Sequence, residues 1–181
     1  MEVRPEIQIK VILKALTDVI LPAVDPENKL AQEQTRLAIG TLQLVAKRLP
    51  IAYRYDRDEL NRYVGFSKDL VAQVGKAADE SAIADLKALA AHGSDVLDRA
   101  RAEPAEMEKA IFDLRAMVGE LIEAVHAGGD STAQAAVRKL VLTMSKQELE
   151  RERAAVVDMN WETDPRTHAP PIETQLPPVN A

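Results

Sequence analysis

Apolar residues recur at three- and four-residue intervals along most of this chain, the repeat that gathers side chains on one face of an α-helix. From Pro5 to about Val24 the positions Ile9, Ile12, Leu16 and Val19 form one such stripe. Leu13, Ile20 and Val24 form a second beside it, and Ile7, Val11 and Leu21 widen the apolar arc. A helix apolar over more than one stripe is buried on two sides, inside a bundle or against a second subunit. Pro22 predicts a bend or an end in its last turn. A second helix is predicted from Pro26 to about Leu49, with the stripe Leu30, Leu37, Thr41 and Leu44. Ala38, Leu42, Val45 and Leu49 flank that stripe, and Gln34 is a polar residue within it. A third helix begins near Asp56 and carries Leu60, Val64, Leu70, Val71 and Val74. It frays at Gly75 and restarts at Asp79 or Ser81, running through Ile83, Leu86 and Leu89 to His92. Gly93-Ser94 reads as the stop of that segment, with Ser94 capping a brief helix that holds Val96 and Leu97.

The most regular pattern starts at Pro104. Met107, Ile111, Leu114, Val118, Leu121 and Val125 alternate spacings of four and three, as in a heptad seam. Gly128-Gly129 is a C-terminal stop. Asp130 or Ser131 then caps a helix with Ala133, Val137, Leu140 and Met144 on one stripe, predicted to reach about Asp158. No run alternates in the two-residue period of a strand. The expected fold is all-α, an antiparallel bundle of about six or seven helices over residues 1–159, treated as one domain.

The prolines sharpen these boundaries. Pro5, Pro26 and Pro104 suit a first helical turn, where the missing N–H costs nothing, and Pro50 reads as a stop. Five of the ten prolines, Pro165, Pro170, Pro171, Pro177 and Pro178, crowd the end of the chain. Residues 160–181 therefore read as an extended, polyproline-like tail. Two states remain open for it: a disordered tail, or an arm anchored by Trp161 with Ile172, Leu176 and Val179 as docking points.

Composition mainly excludes. With no cysteine in 181 residues, disulfides, thiolate metal sites and cysteine nucleophiles are ruled out. A net charge of −6 argues against an electrostatic nucleic-acid binder, which needs clustered Lys and Arg. Lys10, Lys14 and Asp18 interrupt the most apolar stretch, so no membrane span is expected. The start MEVRPEIQIK lacks a basic region followed by an apolar core. The expectation is a soluble, cytoplasmic protein. Glycine-rich nucleotide loops, H-E-x-x-H and G-x-S-x-G are all absent, so no cofactor and no catalytic residue is assigned.

Three segments carry candidate chemistry. YRYDRDELNRYVGF, residues 53–66, holds four of the six aromatic residues, interleaved with arginine. Tyr53, Arg54, Tyr55, Arg57, Arg62, Tyr63 and Phe66 form a candidate ligand- or partner-binding set, since Tyr and Arg dominate binding hot spots and hold planar or anionic groups. The competing reading is that the tyrosines plug one end of the bundle while Asp56, Asp58 and Glu59 neutralise the arginines locally. Glu123-Ala-Val-His126, preceded by Glu120, has the Glu-x-x-His spacing of di-metal bundles. Such sites need two of these motifs. A capping role for His126 in the last turn before Gly128 is therefore favoured, and His92 before Gly93 fits the same role. KQELERER, Lys146 to Arg153, mixes charges at helical spacing and reads as a solvated helix end, with a coiled-coil-like contact as the alternative.

The N-terminal stretch RPEIQIKVILKALTDVILPAVDPENKLAQEQTRLAIGTLQLVAKRL resembles the opening of uncharacterised bacterial all-helical proteins, over about a quarter of the chain. The shared elements are Arg4-Pro5, Leu21-Pro22-Ala23 and the Gln- and Ala-rich helix from Ala31 to Ala38. Members of that group look like neighbours of aminoglycoside-phosphotransferase-like kinases and acyl-CoA dehydrogenases. The resemblance implies an accessory role in acyl-group metabolism and brings no site residues. Together these readings predict a non-enzymatic interaction or accessory module that binds a protein partner or itself, as a homodimer. The alternative is a bundle that binds an anionic or acyl-type small molecule through the Tyr/Arg segment.

Overall fold

The computed structural model describes residues 4–75, 77–99, 103–157 and 164–177, and no strand occurs among them. The fold is all-α, as the helical periodicity requires. The chain forms two compact units. One comprises the chain up to Ala52 together with Glu152–Glu173; the other comprises Tyr53–Arg151 and the chain from Thr174 on.

The first unit is built on α1 (Pro5–Ala15), α2 (Leu21–Ala23) and α3 (Lys29–Arg48). Between α1 and α2 the helix widens into a π-helical turn, Leu16–Ile20, closed by the Leu21 N–H bonding to the Leu16 carbonyl. Pro22 lies immediately beyond and has no N–H to give, so the chain redistributes its bonds by inserting a residue into the turn. The helix ends at Val24, whose ψ of 130° is extended. Asn28 caps α3 by accepting from the Ala31 N–H at 3.0 Å, and Gln32 Nε2 donates to the Val24 carbonyl at 2.7 Å. Pro26 thus belongs to the turn and not to the helix predicted to start there.

Coverage in this hairpin departs from the predicted stripe. α1 buries no residue, and α3 buries only Ile39. Leu30 is 68% exposed, Leu37 52% and Val45 43%. The covered face of α3 runs instead through Ala31, Thr35, Ile39, Leu42 and Ala46, one position around the helix. A hairpin covers only part of each helix, so a sequence apolar on several faces leaves some of them outside. At Pro50 the chain makes a single 3-10 turn, Leu49–Ile51, and enters the next helix at once. α3 ends at Arg48, so Pro50 marks a stop as expected, and the third long helix starts at Ala52, earlier than Asp56.

The second unit is a four-helix bundle of α4 (Ala52–Val74), α5 (Glu80–Asp98), α6 (Pro104–Ala127) and α7 (Ser131–Val156), whose outermost residues at each end of the set belong to the first unit. Gly75, at φ +53°, ends α4, and Asp79 caps α5 by accepting from the Ser81 N–H. Gly129, at φ +78°, makes the turn after α6, and Asp130 Oδ1 accepts from Thr132 N and Ala133 N at 2.9 and 3.1 Å. All six seam residues of α6 are buried, against Leu60, Val64 and Leu70 of α4, Leu86 and Val96 of α5, and Val137 of α7. Short turns join consecutive helices, which makes neighbours antiparallel.

One predicted break is absent. Gly93-Ser94 does not end a helix; α5 runs on to Asp98, so His92 is an exposed mid-helix residue and not a cap. Gly93 is buried because α4 and α6 crowd it: a Cβ there would lie 2.8 Å from Val64 Cγ2 and 3.4 Å from Leu114 Cδ1. The glycine serves close helix approach.

The C-terminal segment also differs from an extended arm. It contains a 3-10 turn, Pro165–Thr167, and a short helix α8 (Ile172–Gln175). Ile172 and Leu176, four residues apart, are both buried. Proline forbids helix only around itself, so the stretch between Pro171 and Pro177 can coil to place these two side chains on one face. Trp161 and Val179 lie outside the described residues.

Candidate functional site

The residues of the Tyr/Arg segment spread around α4 as its 3.6-residue turn dictates. Tyr53 and Arg57 point outward, Arg54 Nη2 donates to the Pro177 carbonyl at 2.6 Å, and Phe66 joins the core. Tyr55, Arg62 and Tyr63 take the half-buried face and meet side chains from α6 and α7.

What they meet is a closed set of three guanidiniums and three carboxylates. Arg62 donates to Glu148 Oε1 of α7 through Nε and Nη2 at 2.9 and 2.6 Å. Arg115 of α6 pairs with Glu59 and lies over the Tyr63 ring, 5.1 Å from its centroid. Arg151 of α7 is the deepest of the set, with only 1% of its side chain exposed. Its Nη2 lies 3.0 Å from Asp58 Oδ2, its Nη1 3.3 Å from Glu148 Oε2, and its guanidinium covers the Tyr55 ring at 4.3 Å. The contact to Asp58 is a charge contact, not an aligned hydrogen bond, and Arg151 Nε has no hydrogen-bond partner.

Burial of charge is the dominant electrostatic fact here. Desolvation pushes the Asp58 carboxyl above the ordinary range, against the opposing pull of Arg151 and Arg62. Glu59 is pushed up for the same reason, opposed chiefly by Arg115. Asp56 is raised by burial and by the nearby Glu108. Removing an ion from water costs several kcal/mol, which only close partners offset. The arrangement is therefore a clasp: each cation faces an anion on another helix, and the bundle holds them in register.

Arg62 is thus neutralised across helices by Glu148, where the competing reading expected local neutralisation by Asp56, Asp58 and Glu59. Glu148 and Arg151 also sit inside KQELERER, so that stretch is not simply a solvated end. A signal for Arg151 exists in the sequence. Continuing the stripe Ala133, Val137, Leu140, Met144 at the same alternation of four and three passes Gln147 and arrives at Arg151, whereas Glu148 falls beside that line. Arg115 has no such signal, because it flanks the α6 seam rather than continuing it.

Glu120, Glu123 and His126 are exposed on α6, and among the described residues no group of three His, Asp or Glu side chains comes close enough to hold a metal. His126 does lie in the last turn of α6, where its carbonyl accepts from Gln134 Nε2 at 3.0 Å. No described helix is long and apolar enough to cross a membrane. In comparisons with known proteins, no family model matches the chain, and neither a curated protein nor a solved structure matches it.

Proposed function

We propose that this protein is a non-enzymatic helical interaction module whose N-terminal hairpin binds a second copy of the chain. The observation that carries the reading is the exposure of apolar side chains on both long helices of the first unit. Val11 is 64% and Val19 65% exposed on the first helical segment, and Leu30 and Leu37 are exposed on α3. Large exposed apolar side chains concentrated in one unit mark an interface. Charge favours a copy of the same chain as occupant. The Lys14–Asp18 pair, at 2.5 Å, neutralises the charge beside Val11 and Val19, so two such faces meet without repulsion.

The clasp supports this reading over the anionic-ligand alternative. Its guanidiniums are already opposed by Asp58, Glu59 and Glu148, which leaves it no net positive charge for a ligand. The accessory role in acyl-group metabolism remains part of the proposal, on the N-terminal resemblance, as does a cytoplasmic setting. Sedimentation at micromolar concentration tests it. The wild type is expected to run as a dimer, and Val11→Glu with Val19→Glu as a monomer of unchanged helical circular dichroism. A monomeric wild type would overturn the proposal.

A further inference from the structure

The second unit carries a surface of a different kind. Along the outer side of α7, Arg138, Lys139, Leu142, Lys146 and Glu150 line one shallow groove. Leu142 is 64% exposed, and Leu149, two turns further on, is 56% exposed. None of Arg138, Lys139 and Lys146 makes an ion pair among the described residues, and Glu150 is the one carboxylate in the groove lining. The repeat is regular: Leu142 to Leu149 and Lys139 to Lys146 are both seven residues apart. A cationic stripe beside an apolar stripe, each repeating every two turns, is matched by a helix that lies alongside and repeats in the same period.

We infer that this face of α7 docks an acidic amphipathic helix of a partner protein. The argument is charge complementarity. Three cations against one carboxylate give a locally positive strip on a chain of net charge −6. A partner helix would place its apolar residues on Leu142 and Leu149 and its Glu or Asp residues on Arg138, Lys139 and Lys146. Long lysine and arginine stems cover apolar surface while their heads reach the carboxylates. The surface belongs to the second unit and is independent of the hairpin proposed above as the self-association site.

The probe is a fluorescent synthetic peptide of about five helical turns, with leucine at helical spacing and glutamate beside it. Its anisotropy is expected to rise on addition of the full-length protein. Binding should weaken several-fold between about 0.05 and about 0.3 M salt, since exposed charges are screened over that range. Arg138→Glu with Lys139→Glu and Lys146→Glu should weaken it by about tenfold or more, and Leu142→Ser with Leu149→Ser should also weaken it. All five positions are exposed, so both variants should keep the wild-type melting curve. Equal binding of a peptide carrying lysine in place of glutamate would overturn the inference. So would unchanged binding by the variants, or capture by phosphatidylserine vesicles without capture of the peptide.

Discussion

Arg151 and Asp58 meet across two helices, with Nη2 of the arginine 3.0 Å from Oδ2 of the aspartate and both side chains buried. Removing one member of such a pair leaves the other charged in a poorly solvated place, which costs about 3–5 kcal/mol. Arg151→Met is expected to lose that much in urea unfolding. Glu148 would keep Arg62 at 2.6 Å, so the orphan is Asp58 alone. The double variant Arg151→Met with Asp58→Leu should therefore recover most of the loss. A single variant within about 0.5 kcal/mol of wild type would show that the pair is not buried in solution.

The same pair gives a pH dependence whose sign is fixed. Asp58 has its folded-state pKa raised, chiefly by burial. Between the ordinary carboxylate value and that raised value the folded state holds more proton than the unfolded state. Stability from this group therefore falls as pH rises through that window and is level above it. Asp58→Asn removes the group, so the wild-type-minus-variant stability difference should decline with rising pH and then flatten. A difference that grows with pH would mean that the attraction of Arg151 outweighs desolvation.

Gly93 and Gly65 separate helix propensity from packing. Both lie inside helices, where alanine is favoured over glycine by about 1 kcal/mol. Gly65 is exposed, and a Cβ there meets nothing within 4 Å, so Gly65→Ala should stabilise by up to that amount. At Gly93 the added carbon would approach Val64 Cγ2 to 2.8 Å. Overpacking of this kind costs about 1–3 kcal/mol, so Gly93→Ala should be net destabilising. Thermal melts of the two variants should shift in opposite directions.

Leu114 is fully buried at the centre of the α6 seam. Truncation to alanine removes contacts from α4 and α5 together, and Leu114→Ala should cost about 2–5 kcal/mol in chemical denaturation. A cost near zero would contradict the heptad register of α6.

Much of the second unit is legible in the sequence, because its signals are local. The α6 seam, the Pro104 start, the Gly128-Gly129 stop and the Asp130 cap each need only a few neighbouring residues to be recognised. Gly93 misleads for the same reason. Glycine followed by serine looks like punctuation along the chain, and only the arrival of Val64 and Leu114 from other helices explains it as a contact. The clasp is half legible. Tyr55, Arg62 and Tyr63 stand out by composition, whereas Glu148 and Arg151 are hidden in a run of charge that resembles solvated helix.

The sequence by itself determined the helices, most of their ends and the all-α class, since spacing, caps and prolines act within a turn or two of the backbone. Tertiary structure alone decided which apolar face each helix covers and which charges are buried. Those outcomes depend on how many neighbours a helix acquires. With α1 and α2 packed on it, α3 covers Ile39 and leaves Leu30 and Leu37 outside. The four-helix bundle buries even Arg151, because Asp58 and Glu148 come with it from the helices around it and its own.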